Sequence, residues 1–544
     1  MCSKSIISFI ALCLSISASG QLFQQVYTTE SVDFLQSVQQ MEDNGYLLTG
    51  FTNGAGEGAN DALIVRTGPF GDILWSKTYG STASESFPIS ALAGNGNVLV
   101  GGSTQHTSES GIPDAFVSWV DASGDLLWTT VLGGLNDDKV RGIEVLPSGE
   151  ILVVGLTNSY SENNSYDIFL SKLNDSGEVL WSRVYGTPMY DVPLALKASE
   201  SGEIFIWGHQ EGDQTLGYDA CLIKLNAEGE ILWNNRYSLA ENELAWDMDF
   251  LPNGDLIISG DTNSAGEGLN DIFVLRMNQD GTIVWSKTFG GFSHDHGTNI
   301  KWVQNDMFVV GGAGGSLGAG GLDFLNVWIN MLGEIKYSSA YGGNNKEVMH
   351  GMTVTNDFGL AQVGETRTFG QGAYSGLFVK TDQDGRCACN NAYSSYLVAN
   401  DVTFNITSAG FGIISESIHN HSEDFLEVAD NAVINEVLCT SGPGESNLNS
   451  GSNQGVNDVA HEIYSKMKLY PNPANGPVKA NIKTKMGFTS HLQVFDLEGS
   501  IVYQKDLEGS NAVQSFFLPD LSTGIYLVRL TTGDRIETKK LIVE

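Results

Sequence analysis

Short apolar runs separated by Gly, Asn, Asp or Ser turns fill most of the chain, and they return in the same order. The clearest run contains a tryptophan, as in GDILWSKTYG, GDLLWTTVLG, GEVLWSRVYG, GEILWNNRYS and GTIVWSKTFG. The tryptophans are Trp75, Trp128, Trp181, Trp233 and Trp285, with spacings of 53, 53, 52 and 52 residues. Runs of this length between turn residues predict β-strands. The repeat therefore predicts a chain built from copies of one β unit.

The period also locates weaker copies of the tryptophan run. Steps of 52 residues lead from Trp285 to Tyr337 and then to Cys389, and one step back from Trp75 leads to Phe23. One tryptophan per unit at a fixed place predicts that this side chain fills the space between neighbouring sheets. We assign these tryptophans a structural role.

Each unit contains three further apolar runs. One ends in glycine, as in ILVVG at Gly155, and one opens with a polar residue that is usually aspartate. The opening residues of the latter run are Asp61, Asp114, Asp167, Asp219, Asp271, Asp323 and Ser375. Four strands in about 52 residues predict an all-β fold, a seven-bladed β-propeller. The tryptophan run has eight copies and the others seven, so either the Phe23 run or the Cys389 run closes the ring.

The remaining segments set the predicted domain boundaries. Residues 1–20 have the lysine, apolar run and small residues of a signal peptide cut between Gly20 and Gln21. We expect the propeller at 21–390, additional strands at 391–440, a flexible linker at 441–467 and a small β-sandwich at 468–544. After the signal, no apolar run reaches the roughly 18 residues of a transmembrane helix.

Charge narrows the choice of partners. The net charge is −36, and residues 1–467 hold 19 basic and 56 acidic side chains. A surface this acidic repels phosphate groups, so we expect neither nucleic acid nor anionic lipid as a partner. High solubility in a salty exterior explains the charge without a cationic ligand.

Four cysteines remain after the signal: Cys221, Cys387, Cys389 and Cys439. They are too few for a disulfide scaffold in a chain of this length, so core packing must stabilise the fold. Either Cys387 or Cys389 could pair with Cys439 after export, or these residues could remain buried thiols.

The last 77 residues carry YPNPA at 470–474, LSTGIYLVRL at 521–530 and a terminal KKLIVE. In order and spacing these motifs resemble the type A C-terminal sorting domain of the type IX secretion system of Bacteroidetes-like bacteria. The matching residues are Pro471, Asn472, Pro473, Gly524, Tyr526 and Lys540. The resemblance implies passage through the periplasm, recognition by the type IX machinery, and release or tethering to surface lipopolysaccharide. The repeats resemble uncharacterised propeller regions found before such domains, which carry no agreed chemistry.

Two glycine-rich loops are candidates for Ca²⁺, which prefers carboxylate and carbonyl oxygens. GFTNGAGEGANDA carries Glu57 with Asp61, and GDTNSAGEGLNDI carries Glu267 with Asp271. Turns that connect strands explain the same residues. Two histidine pairs, His294 with His296 and His419 with His421, have the spacing of one strand face, but a zinc site needs further ligands.

We find no catalytic motif, and we assign no catalytic or cofactor-binding residue. Our first hypothesis is a monomeric, secreted or cell-surface propeller that binds glycan or protein, or builds the surface, without catalysis. The alternative is a polysaccharide hydrolase or lyase with its site at the channel mouth. Even repeat lengths favour the first hypothesis. Two inward carboxylates about 5 to 9 Å apart would favour the enzyme, and a channel of small and apolar groups would exclude it.

Overall fold

The computed structural model describes residues 22–29, 31–56, 59–94, 96–106, 111–161, 165–212, 217–318, 320–370, 373–387, 391–393, 397–415, 418–422, 426–430, 433–441, 465–470, 478–484, 489–495, 501–508, 513–518, 521–532 and 535–543. The chain forms two compact units that divide at residue 447. The predicted signal peptide, with Gly20 and Gln21, and most of the predicted linker lie outside the described residues. The described residues contain no helix long and apolar enough to span a membrane.

The described part of the first unit forms seven antiparallel sheets of five strands. Four strands of each sheet follow a common pattern. Sheet 1 contains β2 (Asp33–Gln40), β3 (Tyr46–Thr52), β4 (Asp61–Thr67) and β5 (Ile73–Gly80); sheet 2 contains β6 (Glu85–Gly94), β7 (Asn97–Thr104), β8 (Asp114–Val120) and β9 (Leu126–Gly133); sheet 3 contains β10 (Asp138–Val145), β11 (Ile151–Thr157), β12 (Asp167–Leu173) and β13 (Val179–Gly186); sheet 4 contains β14 (Asp191–Ala198), β15 (Ile204–Glu211), β16 (Tyr218–Leu225) and β17 (Ile231–Ser238).

The other three sheets repeat this order, except that the last takes its fourth strand from the start of the chain. Sheet 5 contains β18 (Glu243–Phe250), β19 (Leu256–Thr262), β20 (Asp271–Met277) and β21 (Ile283–Gly290); sheet 6 contains β22 (Asp295–Gln304), β23 (Met307–Gly314), β24 (Asp323–Asn330) and β25 (Ile335–Tyr341); sheet 7 contains β26 (Glu347–Val354), β27 (Leu360–Thr366), β28 (Ser375–Lys380) and β1 (Leu22–Thr28).

The sheets form a closed, propeller-like ring. The first strand of each sheet contacts the first strand of the next, and β26 of sheet 7 contacts β2 of sheet 1. These first strands therefore line a central channel. In sheet 7, β1 pairs with β28, so that Phe23 lies opposite Lys380. The Phe23 run thus completes the last sheet, whereas Cys389 lies outside the described residues.

A hydrophobic cluster fills each seam between neighbouring sheets. The seam between sheets 4 and 5, for example, contains Trp207, Leu222, Met248 and Phe273, all fully buried. A sheet that is apolar on both faces must be covered on both faces, and closing the ring provides a neighbour for each face. The core of the first unit is therefore seven separate seams.

Residues 391–441, which we call the belt, supply the fifth strand of every sheet. The belt strands are β29 (Asn391–Tyr393), β30 (Val398–Asp401), β31 (Asn405–Ser408), β32 (Gly412–Ser415), β33 (His419–Ser422), β34 (Glu427–Asp430) and β35 (Ile434–Ser441). They pair in turn with the outer strands of sheets 6, 5, 4, 3, 2, 1 and 7. The belt therefore runs around the outside of the ring against the chain order of the sheets, and it covers outer strand edges that would otherwise be unpaired.

A second, shorter period holds the belt in place. Its apolar residues recur about every seven positions, and each enters a different seam cluster. They are Leu397, Phe404, Phe411, Ile418, Leu426 and Val433. The belt thus places one of these residues in each of six seams. The step is shorter than the 52-residue repeat because it spans only the width of one sheet at the rim.

In the tryptophan run of sheet 3, Trp181 packs against the hydrophobic cluster between sheets 3 and 4. Trp181 is only half-buried, whereas Tyr185 four positions later is fully buried. The Tyr185 hydroxyl donates a hydrogen bond to the carbonyl of Gly229, a turn residue of the next sheet, at 2.6 Å. A Cβ at Gly229 would lie 2.9 Å from this hydroxyl and 3.0 Å from the Trp181 ring, and its φ is +80°. The turn therefore requires glycine.

Every inner strand opens with a buried carboxylate. These residues are Asp33, Glu85, Asp138, Asp191, Glu243, Asp295 and Glu347, each at most 1% exposed. Their common role is to accept the amide N–H four residues earlier, as when Gly343 donates to Glu347 at 2.7 Å. A threonine at the end of the second strand adds a bond, as from Thr366 to Glu347 at 2.8 Å. The carboxylates thus anchor the turns that join successive sheets.

The second unit contains two sheets. One contains β36 (Ser465–Tyr470), β37 (Lys479–Thr484) and β40 (Val513–Phe517), and the other contains β38 (Thr489–Phe495), β39 (Ile501–Glu508), β41 (Gly524–Thr532) and β42 (Arg535–Val543). Both contribute to one core that includes Ile482, Leu492, Val528 and Leu541.

The described cysteines of the first unit fall into two states. Cys221 and Cys387 are thiols, and the Cys387 Sγ donates to the carbonyl of Phe23 at 3.4 Å. Cys439, on β35, is disulfide-bonded. Its partner lies outside the described residues, so the alternative in which Cys387 pairs with Cys439 is wrong.

Candidate functional site

The channel wall consists of the seven inner strands, each of which contains a β-bulge near its middle. The bulge turns side chains on either side of it toward the channel. The fourth residue of each strand lies at this place, and the seven residues differ: Gln36, Pro88, Arg141, Leu194, Trp246, Thr298 and His350. All seven line the channel. At this position the seven sheets therefore differ in the side chain that they carry, and no insertion is involved.

The larger of two channel cavities has a volume of about 580 Å³ and contains charges of both signs. Lys301 Nζ lies 2.5 Å from an Asp247 carboxylate oxygen, and Lys197 Nζ lies 3.8 Å from Glu144. Burial raises the pKa of Glu144. Burial opposes the charge of Lys197, but the surrounding carboxylates outweigh it and raise the pKa of this residue. Lys197 therefore remains charged near neutral pH.

The carboxylates of this cavity also hold neighbouring sheets together. Asp247 accepts the Ile300 amide and Asp249 accepts the Trp302 amide, each at 3.0 Å. These bonds join β18 to β22. Inward carboxylates are thus present, contrary to a channel of only small and apolar groups. However, their oxygens already accept bonds from lysine or backbone, which does not suit a free acid–base pair.

The second cavity, of about 390 Å³, shares Arg141, Trp246 and His350 with the first. We call it the basic cavity because its charged or titratable lining residues are Arg141, Lys346, His296 and His350. No carboxylate belongs to its lining among the described residues. Apolar side chains, including Leu194, complete the wall.

Asp261 organises one side of the basic cavity from behind. This carboxylate is 1% exposed, and it accepts the Trp246 indole N–H at 2.7 Å and the Gly297 amide at 2.9 Å. It also lies 2.7 Å from Nδ1 of His296. The hydrogen bond with Asp261 raises the pKa of His296. Asp261 therefore fixes both rings, and it directs the other imidazole nitrogen, Nε2, away from itself.

Arg141 and His350 supply the other polar groups. The Nε of Arg141 is buried and has no hydrogen-bond partner among the described residues. Burial lowers the pKa of Arg141, with the charge of Asp137 acting in the opposite direction. Nε2 of His350 lies 3.5 Å from Glu365. The cavity therefore presents a guanidinium and two carboxylate-supported imidazoles.

The described calcium candidates, Asp61, Glu267 and Asp271, do not belong to the lining of either channel cavity. Asp271 Oδ2 accepts the amide of Gly268 at 3.0 Å, inside its own loop. Glu267 is exposed and accepts a bond from Asn400 of the belt at 3.2 Å. Asp61 is buried, and Glu57 lies outside the described residues. The described residues contain no cluster of three or more acidic, histidine or cysteine side chains suited to a metal.

The histidine pairs have different surroundings. His294 and His296 stack with ring centroids 6.0 Å apart, and only His296 lines the basic cavity. His419 and His421 lie on belt strand β33, paired with Gly133 and Val131 of β9. The sequence spacing had made His296 a candidate zinc ligand, whereas in the structure it lines the basic cavity.

The sequence analysis missed Arg141, Trp246, Lys346 and His350. These residues lie on or beside the inner strands of sheets 3, 5 and 7, so no local motif joins them. Alignment of the seven inner strands would have found the positions that differ from repeat to repeat. We had searched for insertions instead.

The LSTGIYLVRL and KKLIVE motifs contribute strands to the second sheet of the second unit, whereas Tyr470 of YPNPA ends β36 in the first sheet. Gly524 opens β41, and the Tyr526 hydroxyl donates to the carbonyl of Ser522 at 2.8 Å. Lys540 lies opposite Leu527 on β42. Pro471, Asn472 and Pro473 lie outside the described residues. Residues 468–544 match the family described as "Secretion system C-terminal sorting domain". They form a sorting domain. This sorting domain implies export by the type IX system to the cell surface or the exterior.

Other relatives are distant. A regulatory protein, FlaEY, from Caulobacter vibrioides is 25% identical over 206 residues, which cover 33% of this chain and 21% of that protein. The chain thus spans about a fifth of that relative's length. A solved puromycin hydrolase matches 62% of this chain and 51% of its own at 13% identity and a TM-score of 0.39. An endo-1,5-alpha-L-arabinanase from Thermotoga petrophila RKU-1 matches 65% and 100% at 11% identity and a TM-score of 0.24. These scores carry no argument about activity.

Proposed function

We propose that this chain is a seven-bladed β-propeller, secreted or held at the cell surface, that binds a glycan or protein ligand in its central channel without catalysis. The observation that supports this most is the channel wall, where a regular scaffold carries seven different residues at one position. In the smaller cavity, few polar groups stand on a largely apolar wall, which is typical of a ligand site. The channel carboxylates Asp247 and Asp249 already accept bonds from a lysine or from backbone amides, which favours binding over hydrolysis.

The export route forms part of the proposal. Residues 1–20 direct the chain to the periplasm and are cut after Gly20, and the type IX machinery then recognises the sorting domain. The mature chain is a monomer that is released or attached to lipopolysaccharide. Deletion of 468–544 should leave the protein in the periplasm. Normal surface display of the deleted chain would contradict this route.

The binding proposal is tested with the mature chain, residues 21–544, on an array of glycans and cell-surface proteins and in a polysaccharide-degradation screen. We expect binding without degradation. Trp246→Ala should abolish binding because Trp246 lines both cavities. Trp285→Ala is the matched control, since Trp285 lies on the outer strand β21. Equal loss in both folded variants, or no ligand at all, would contradict channel binding.

One observation favours a second candidate, a lyase. His296 is held by a buried carboxylate on the wall of a cavity, which is the arrangement of a general base. A lyase would use it to remove a proton from a bound sugar acid. The mature chain would then shorten acidic polysaccharides and form unsaturated products, and His296→Ala would stop this while binding remained. If no acidic polysaccharide is shortened, the lyase candidate is wrong.

A further inference from the structure

The basic cavity has an unusual charge for this protein. The chain carries 64 acidic and 28 basic residues, yet the cavity is lined by Arg141, Lys346, His296 and His350 without a carboxylate among the described lining residues. If charge served only solubility, we would expect carboxylates in this cavity as on the rest of the surface. A local excess of positive charge inside a low-dielectric channel attracts an anionic group.

Arg141 is the strongest feature of this cavity. Its guanidinium lines both channel cavities, and its buried Nε lacks a partner among the described residues. Burying a guanidinium without a hydrogen-bond partner costs free energy, and an anion bound beside the guanidinium would offset that cost. The planar fork of arginine matches a carboxylate through two parallel hydrogen bonds. Arg141 therefore suits a planar carboxylate.

The rest of the wall indicates the shape around that carboxylate. The indole N–H of Trp246 is already bonded to Asp261, so the ring contributes its apolar surface to the cavity. Leu194, Val348 and Met349 are apolar neighbours in the same lining. The imidazoles of His296 and His350 offer polar atoms to hydroxyl groups. The lining thus combines a guanidinium, apolar side chains and imidazoles. These groups suit a ring that has one carboxylate, an apolar face and several hydroxyl groups.

We infer that the basic cavity binds a sugar acid, a saccharide unit whose carboxylate is held by Arg141 and whose ring lies against Trp246. Lys346, which is exposed, adds positive charge at the same cavity. The cavity volume of about 390 Å³ lies in the range of small-ligand sites. This inference rests on the proposed function and names the ligand class for the same channel.

The experiment compares pairs of sugars that differ only in the carboxylate. Binding of galacturonate, glucuronate, galactose, glucose and inorganic phosphate to the mature chain is measured by calorimetry and ligand-observed NMR. We expect each sugar acid to bind at least tenfold more tightly than its neutral partner and than phosphate. Arg141→Met should weaken sugar-acid binding at least tenfold. Arg141→Lys should recover only part of it, because lysine lacks the fork.

A matched control is Arg386→Met, since Arg386 is exposed and pairs with Asp384 outside the channel. It should leave binding unchanged. Equal affinity for acidic and neutral sugars, tighter binding of phosphate than of sugar acids, or full binding by a folded Arg141→Met variant would overturn the inference. Binding of neutral glycans alone would overturn it while the proposed function stands. A failure to bind every glycan and protein tested would overturn both.

Discussion

Two positions on the same inner strands behave in opposite ways. The opening residue is acidic in all seven sheets and fully buried, whereas the fourth residue differs in every sheet and faces the channel. The first set accepts hydrogen bonds from the turns that every sheet needs. The fourth residues contact the central channel, which exists only after the ring has closed. In a repeat protein, the positions that stay constant describe the scaffold, and those that vary while remaining inward point to the site.

The largest expected effect is at an opening position. Glu347→Ala removes the acceptor of bonds from Gly343, Thr366 and Thr368, of which the Thr366 hydroxyl is buried and the two amides are part-buried. We expect a loss of about 3 to 5 kcal/mol in the free energy of unfolding, measured by chemical denaturation. His350→Ala, at the fourth position of the same strand, should cost about 1 kcal/mol or less. Equal losses in the free energy of unfolding for the two variants would contradict the distinction between the opening position and the fourth position.

The next effect compares the two aromatic residues of the repeat. Tyr185 is fully buried and hydrogen-bonded, whereas Trp181 is half-buried. Tyr185→Ala should therefore cost about 4 kcal/mol and Trp181→Ala about 2 kcal/mol, measured by the same denaturation. A larger loss for Trp181→Ala would show that the tryptophan stabilises the seam more than the fully buried tyrosine does.

A third effect depends on pH. Burial raises the pKa of Asp167 from 3.8 to about 7, and neither carboxylate oxygen has a hydrogen-bond partner among the described residues. As pH rises from about 4 to about 7, the unfolded chain loses this proton first, so the free energy of unfolding falls. Asp167→Asn should raise that free energy by about 2 to 4 kcal/mol near pH 8 and leave it unchanged near pH 4.

Asp191 is the matched control for this pH effect. Burial also raises its pKa, to about 7, but its carboxylate accepts the amide of Thr187 at 2.6 Å. Asp191→Asn should raise the free energy of unfolding less than Asp167→Asn does. The new asparagine side chain replaces a carboxylate that already accepts a hydrogen bond from Thr187. Thermal unfolding at several pH values measures both variants. An equal gain would show that the bond to Thr187 contributes nothing.

The smallest effect on stability is expected in the channel. The bond with Asp261 raises the pKa of His296, with Asp295 acting in the same direction and Lys346 opposing. Its contribution to folding is thus present at low pH and lost as pH rises through the raised pKa. Sugar-acid binding should fall over the same range, by about three- to tenfold. His296→Gln should remove this pH dependence and change stability by about 1 kcal/mol or less. An unchanged pH profile in calorimetry would exclude His296 from the site.

The repeat period was enough to predict an all-β architecture, because each unit must bury the same apolar faces against its neighbours. It also located Phe23 as a strand of the tryptophan type. The choice of that strand over the Cys389 run to complete the last sheet is a matter of tertiary pairing with β28. The belt was predicted only as further strands. The seven-residue spacing of its apolar residues is present in the sequence. It can be interpreted only with the folded ring, because the spacing matches the width of one sheet at the outer rim.

Sequence alone determined the units, the turns and the sorting motifs, since these depend on residues close together in the chain. Apolar alternation, turn glycines and YPNPA need no distant partner. Only the tertiary structure decided the basic cavity, because Arg141, Trp246, His296 and His350 come from four sheets and meet only when the ring closes. It also decided that Tyr185, and not Trp181, is the buried residue of GEVLWSRVYG, because burial depends on where the next sheet's turn lies.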